Sequence, residues 1–344
     1  MRKPDPHFRN RNVALNIRQL TNGKRQSYSK KKLKIISNRK VDKPKKFKIL
    51  APKSLALNPR SKREEMLIFF SDIKNALGYK DSKIHINFGE TNSLLPCGTL
   101  YFRAHMSLLL ERYKNRINCS YPKDDVVGQL FQHIKLLEKM GLSNKYTVTA
   151  DNVRHWHSVE GTKADTSKFE NLLHSYEDEL AQPMRLGLYE SMSEAITNCV
   201  QHAYETTQIK EENQKWWMFS TKLENVLTVA IYDSGIGIAE SLRIKPELMD
   251  IMQGLTFRTN NSDKKLLKLA VGSNKTKTKL SYRGKGLPDM MHFVASMNVG
   301  GLLIHSNHGT YMYDAYLKKE HTSDYVHPIK GTLIQWTLPL IDEV

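Results

Sequence analysis

Cysteine is nearly absent from this 344-residue chain. Cys97, Cys119 and Cys199 are the only three, too few and too scattered for a disulfide framework or a paired-cysteine zinc site, which fits a reducing compartment. Long apolar runs are missing as well. No stretch approaches the roughly 20 consecutive apolar residues of a membrane span, and the N-terminus lacks the apolar core of a secretory signal. The expectation is a soluble, cytoplasmic protein with no membrane partner. Acidic residues are scarce too, 35 against 53 Lys plus Arg, and the shortage is local. Residues 1–50 hold 17 Lys or Arg against Asp5 and Asp42 alone, a net of +15 out of +18 for the whole chain. The body is therefore nearly neutral and its leading segment strongly basic.

Residues 1–46 are also poor in large apolar side chains and carry Lys30-Lys31-Lys32 and Lys43-Pro44-Lys45-Lys46. Such a segment cannot bury enough surface to offset the entropy of ordering, and it reads as a basic flexible arm. Contact with nucleic acid or another polyanion is one role for it; a solubilising tail or a partner-binding arm is the other. Pro4 and Pro6 and a weak amphipathic pattern argue against organellar targeting. The length of 344 residues predicts two domains, each with its own core, and 40 % apolar content over the whole chain supports globular folding for most of it.

The first domain, 47–143, starts with a strand-like run at 47–51. Met66, Leu67, Phe69, Phe70 and Ile73 recur at helical spacing within 63–77, residues 83–88 alternate as a strand, and 100–113 reads as a second helix. Strand, helix, strand, helix over so short a span predicts a small α/β layer. A third helix is predicted over 124–140, stopped by Gly141. Residues 144–167 then read as a polar linker. Its His155-Trp156-His157 has no third ligand at metal spacing, so packing is the simpler role.

The second domain, 168–344, begins with a helix at 169–180. In 190–205, Met192, Ala195, Ile196, Cys199, Val200 and Ala203 form the apolar stripe of one amphipathic helix. Glu194, Asn198 and His202 stand four residues apart, each offset by about 40°, as a polar ridge. The ridge supplies a carboxylate able to accept a proton, an amide oxygen able to ligate a hard cation, and an imidazole. Residues 215–222 and 226–232 read as a hairpin, with Trp216 and Trp217 on opposite faces as packing residues. The second strand runs directly into Asp233-Ser234-Gly235-Ile236-Gly237-Ile238. Residues 299–306 and 310–317 make a hairpin around Asn307-His308-Gly309, and 331–340 a last strand. His305, His308, His321 and His327 are strand and loop residues. Between the hairpins, Arg283-Gly284-Lys285-Gly286-Leu287-Pro288 opens a helix at 287–295, where glycines can turn backbone N–H groups toward an anion favoured by the helix dipole. Lys330-Gly331-Thr332 opens the last strand.

Taken in order, a helix with E-x-x-x-N, a D-x-G-x-G after a strand, a basic glycine loop opening a helix and a G-T opening a strand resemble the GHKL ATPase superfamily of gyrase B, heat-shock chaperones, histidine kinases and mismatch-repair ATPases. The resemblance covers roughly residues 165–344, and the E-A-x-T-N-x-x-x-H-A-Y wording is most similar to bacterial anti-sigma-factor serine kinases. Residues 84–110, with Pro96-Cys97-Gly98, resemble a STAS domain, although Pro96 stands where that family carries a phosphorylatable serine. The resemblance implies an α/β (α+β) two-domain protein: a small STAS-like domain and a C-terminal Bergerat sandwich with a mixed sheet. It implies ATP and Mg²⁺ as cofactors. Asn198 would ligate the Mg²⁺, Glu194 would orient or deprotonate the attacking water or hydroxyl, and Asp233 would accept a hydrogen bond from the adenine amino group. Gly235 and Gly237 would let the backbone approach the base, Thr332 would add a hydroxyl, and Arg283, Gly284, Lys285 and Gly286 would meet the phosphates. Residues 251–280, with Gly254 and Gly272 as hinges, would be the nucleotide lid. The phosphoacceptor role of sensor-kinase histidines finds no counterpart in His202.

The expected function is hydrolysis of Mg-ATP with the lid coupling nucleotide state to a regulatory protein partner. A nucleotide-gated interaction module without turnover, a serine protein kinase acting on a separate STAS partner, and a homodimer all remain open at this point.

Overall fold

The computed structural model describes residues 35–36, 44–176, 178–244, 262–272 and 286–340. The protein is mixed α/β and divides into two compact units, Met1–Trp156 and His157–Val344. The division falls inside the stretch 144–167.

In the first unit, β1 (Ile35–Ile36), β2 (Lys46–Leu50), β4 (Lys83–Asn87) and β6 (Ile117–Cys119) form a sheet in the order β1-β2-β4-β6, and β3 (Ser54–Leu55) pairs with β5 (Ser93–Leu94). Strands β2, β4 and β6 are parallel, and β1 lies antiparallel on the edge. Helix α1 (Arg60–Leu77) buries Met66, Phe69, Phe70 and Ile73, the periodic residues of its sequence. Helix α2 (Pro96–Arg112) starts earlier than periodicity suggests, because Pro96 occupies its first turn, where a missing N–H costs nothing. Phe102 stacks on Phe131 at 5.9 Å, and Phe88 meets Phe131 edge-on at 5.1 Å, forming the aromatic centre of this core.

The single helix expected over 124–140 is instead two. Helix α3 (Asp125–His133) is capped by Asp124, whose side chain accepts from the Val127 N–H, and α4 (Leu136–Lys139) follows after Lys135, which sits at φ +57°. The left-handed residue re-aims the chain so that Ile134, Leu136 and Leu137 are all buried. Sequence periodicity alone does not register such a break. Residues 145–150 are held by side-chain amides of α3: Gln132 Oε1 accepts from the N–H groups of Lys145 and Tyr146, and Gln129 Oε1 from those of Thr149 and Ala150. Helix α5 (Asp151–Arg154) ends this unit.

The second unit is built on seven strands: β7 (His157–Gly161), β8 (Trp216–Leu223), β9 (Val226–Asp233), β10 (Gly301–Ser306), β11 (Gly309–Asp314), β12 (Lys319–Asp324) and β13 (Thr332–Pro339). Their order is β12-β11-β10-β13-β9-β8-β7, and every pairing is antiparallel. This corrects the expected mixed sheet; in this protein the mixed sheet belongs to the first unit. Two-residue turns join β8 to β9 and β10 to β11, and direct hairpins impose the antiparallel sense. Strand β7 corrects a second expectation, since part of the supposed linker is the edge strand of this sheet. Helices α6 (Ser167–His174), α7 (Gln182–Gln201), α8 (Ile238–Arg243), α9 (Asp263–Gly272) and α10 (Gly286–Met297) complete the unit. The core joins Leu188, Met192, Ala195 and Ile196 of α7 and Met290, Phe293 and Val294 of α10 to Trp216, Val229, Ile231, Ile304 and Trp336 of the sheet. Both Trp216 and Trp217 are fully buried, the second stacked on Tyr232 at 6.0 Å, as packing roles require. Of the expected lid, 262–272 is described and is mostly α9; the remainder, with Gly254, lies outside the described residues.

Candidate functional site

Three strand ends meet at one edge of the antiparallel sheet. The register sets Thr332, first residue of β13, opposite both Asp233, last of β9, and Ser306, last of β10. Asp233 is 4 % exposed. Its Oδ1 accepts from the Gly235 N–H at 2.8 Å, and the Thr332 backbone N–H also donates to the carboxylate. Its Oδ2 takes the Cys199 thiol of α7, with Sγ at 3.7 Å. Burial pushes the Asp233 carboxyl up to about 6, against the opposing pull of these donors. Burial and the facing carboxylate push the Cys199 thiol well above its ordinary range, so it stays protonated and donates.

The loop after Asp233 is fastened on two sides. Ile236 N–H donates to the Ala203 carbonyl at 2.7 Å, and Gly235 lies so close that a side chain there would begin 2.1 Å from that oxygen. Gly237 adopts φ +83°, which a side chain would strain. Ile238 N–H, opening α8, donates to Ser306 Oγ at 2.8 Å, and Ser306 Oγ lies 3.2 Å from Thr332 Oγ1. Asn307 bridges the whole arrangement: its Nδ2 donates to the Ile236 carbonyl at 2.5 Å and its Oδ1 accepts from Gly331 N–H at 3.2 Å. Gly331, at φ +92°, in turn lies against the Asp233 carbonyl.

The ridge of α7 lies beside this cluster. Glu194 and Asn198 are half-buried one turn apart, with Asn198 Nδ2 donating to Glu194 Oε1 at 3.4 Å. That leaves Asn198 Oδ1 as an available hard-oxygen donor. Gly286 begins α10 directly against Glu194: a methyl there would lie 2.2 Å from Oε1 and 2.4 Å from Cγ. Glu194 thus packs beside the first described residue of α10. The expected ridge is shorter than its sequence suggests. Helix α7 ends at Gln201, and His202, its capping residue, turns to Glu205 with Nδ1 2.7 Å from Oε1.

Of the residues singled out from sequence, Asp233, Gly235, Gly237 and Thr332 form one cluster and Glu194, Asn198 and Gly286 another. They are joined through Cys199, the residue after Asn198. Arg283, Gly284 and Lys285 lie outside the described residues. Sequence reading passed over Cys199, Ser306 and Asn307 as site residues. Asn307 carried a turn signal, Asn-His-Gly, but nothing in it points to a partner 71 positions earlier. Among the described residues no group of three or more His, Cys, Asp or Glu could hold a metal ion, and no helix is long and apolar enough to cross a membrane. A polar recess of about 670 Å³ in the first unit is lined by Tyr121, Lys123, Asp125, Lys145 and Tyr146. Gln129 beneath it has its amide committed to Asp125, Thr149 and Ala150. No protein-family model matches the chain, and no curated protein does.

Proposed function

We propose that the second unit binds ATP with Mg²⁺ in the manner of the GHKL class, hydrolyses it, and couples nucleotide state to a regulatory partner. One observation carries the reading: Glu194, to which Asn198 donates one turn on, lies against the first residue of α10, and the same helix carries the Cys199 that touches Asp233. A buried carboxylate at a strand end suits the amino group of a purine, and the next two strand ends bring the hydroxyls of Thr332 and Ser306, 3.2 Å apart. Asn198 Oδ1 would hold the magnesium. That ion takes one or two protein oxygens and otherwise phosphate and water, so a three-carboxylate cluster is not required. When bound, it would neutralise phosphate charge, which together with positioning is most of what phosphoryl transfer needs. Glu194 would orient the attacking water and take its proton.

The discriminating experiment is Mg-ATP turnover by the wild type and by Glu194→Ala, with binding measured in parallel. Tight binding in both and turnover only in the wild type is expected; equal turnover removes Glu194 from the chemistry. A binding-only module is the second reading. It is favoured by the placement of Glu194, whose Oε1 accepts from Asn198 Nδ2 and which packs against Gly286. Tight ATP binding with no product over hours selects it, and label appearing on a protein hydroxyl selects a kinase.

A further inference from the structure

We propose that the open face of the first unit's parallel sheet is a nucleic-acid-binding surface that contacts the phosphodiester backbone without reading its sequence. Parallel sheets are normally covered on both faces, and this one, parallel in all but its edge strand β1, is covered on one face only among the described residues. In β2 and β4 the residues alternate between buried and accessible, and β6 follows suit. One face buries Phe47, Ile49, Ile84, Ile86, Ile117 and Cys119. The other presents Lys46, Lys48 and Leu50, then Lys83, His85 and Asn87, then Asn118. Register places Lys46 beside Lys83 and Lys48 beside His85, which in turn neighbours Asn118. Side chains on one face of a strand repeat about every 6.6 Å, and neighbouring strands lie about 4.8 Å apart. The result is a compact grid of cations and amides.

No carboxylate stands on this face in the three strands, and among the described residues Lys46, Lys48 and Lys83 have no carboxylate partner. Lys83 Nζ donates to the Asn115 carbonyl at 2.6 Å, a neutral acceptor, so the positive charge of the face stays unneutralised and open to an anion. The basic excess of residues 1–50 leads straight into β2 and belongs to the same end of the chain.

The chemistry favours a phosphate backbone over other polyanions. A protein interface is depleted in lysine and enriched in aromatics at its centre, whereas this grid is lysine-rich and its one ring is the imidazole of His85. An anionic membrane surface is met by apolar residues that insert, and among the described side chains on this face of β2, β4 and β6 only Leu50 is available for that. That imidazole is tied to Asn118 Oδ1 at 2.7 Å and no Phe, Tyr or Trp stands beside it on this face of the three strands, which favours phosphate contacts over base stacking.

The test uses the full chain and labelled single-stranded RNA, single-stranded DNA and duplex DNA of mixed sequence, about 20 nucleotides long. Anisotropy is followed across a salt series for the wild type, for K46Q/K48Q/K83Q, and for a control, K62Q/K74Q/K135Q, that removes three positive charges from α1 and the α3–α4 junction. Thermal unfolding checks that both variants fold. Each lost phosphate contact lowers the slope of log K against log salt by about 0.7 to 0.9. The sheet variant is therefore expected to lose about 2 in slope and to bind roughly tenfold or more weakly at fixed salt, while the control changes much less. RNA binding more tightly than DNA, or the reverse, assigns the polymer. Equal losses in the two variants would overturn the proposal in favour of diffuse attraction by the basic segment. Wild-type binding to phosphatidylserine vesicles or polyglutamate, with none to nucleic acid, would overturn it in favour of those partners.

Discussion

The thiol of Cys199 lies 3.7 Å from Oδ2 of Asp233, and this contact ties the helix carrying Glu194 and Asn198 to the strand end that would receive the base. Both groups are almost wholly buried. Neither is a surface feature that happens to fall near the other; each is satisfied by its partner, since an unpaired buried polar group is costly. The contact therefore fixes the position of the whole polar ridge relative to Asp233.

The first prediction concerns pH. Asp233 titrates near 6 in the native state, above its ordinary value of 3.8. Below about pH 4 both folded and unfolded chains hold the proton and the group contributes nothing. As pH rises from 4 to 6 the unfolded state ionises first, so stability falls, and above 6 the full penalty remains. Two units correspond to about 3 kcal/mol. Asp233→Asn removes this titration at the cost of a pH-independent mismatch with the Thr332 N–H. Urea unfolding at several pH values should therefore show the variant gaining on the wild type between pH 4 and 6, then running parallel to it. A constant difference across that range contradicts the assigned shift.

Asn307 is predicted to support the site without touching a ligand. Its side chain makes two hydrogen bonds that bridge the Gly237 loop to Gly331, and its φ of +46° suits Asn better than Ala. Two bonds at about 1 kcal/mol each plus about 1 kcal/mol of backbone preference give Asn307→Ala a cost of about 2 to 4 kcal/mol. Asn307→Gly should recover the backbone part only. If both variants unfold at the same denaturant concentration as the wild type, the bridge has no structural weight. Nucleotide affinity, measured by titration well below the unfolding range, should fall in both.

These residues also show where a sequence stops being informative. The β8–β9 and β10–β11 hairpins were legible because their turns carry local chemistry, and α7 because its apolar stripe repeats at helical spacing. Strands β7 and β12 were not legible as strands. Their sequences, HSVEG and KEHTSD, are polar edge segments with no buried alternation to report them. The break at Lys135 and the end of α7 before His202 depend on tertiary packing rather than on any local stop signal. At the site, Glu194, Asn198 and Asp233 announced themselves through spacing and turn context. Ser306, Asn307 and Cys199 did not, because their partners lie 68, 71 and 34 positions away.

A double-mutant cycle tests the contact between Gly286 and Glu194. An alanine methyl at 286 would overlap Oε1 and Cγ of Glu194, so that flexible side chain must move aside. Alanine is otherwise the better helix former, by about 1 kcal/mol in a helix interior and by less at a first residue such as 286. In the wild-type background these effects oppose each other, and Gly286→Ala should be neutral to mildly destabilising. In the Glu194→Ala background the clash is gone and the same change should stabilise. A coupling energy of about 0.5 kcal/mol or more is expected; strict additivity would mean that the two residues do not meet. Turnover should fall in Gly286→Ala even where stability does not, because Glu194 is displaced.

The last prediction concerns magnesium and Asn198. If the site binds Mg-ATP, a ligand present at a hundred times its Kd raises stability by about 2.7 kcal/mol, readily seen as a rise in unfolding temperature. Adding a chelator at the same ATP concentration should remove most of that rise, because the phosphates would then face Glu194 without a bridging cation. Asn198→Ala loses the oxygen that would bind the ion and should behave in Mg-ATP as the wild type does under chelation. Asn198→Asp keeps an oxygen at that position and adds charge. It should therefore retain the dependence on magnesium while losing the amide hydrogen bond to Glu194. An Asn198→Ala variant with an undiminished magnesium-dependent shift would place the ion elsewhere and remove Asn198 from its coordination. Equal stabilisation of the wild type with and without magnesium would count against a metal-bridged nucleotide altogether.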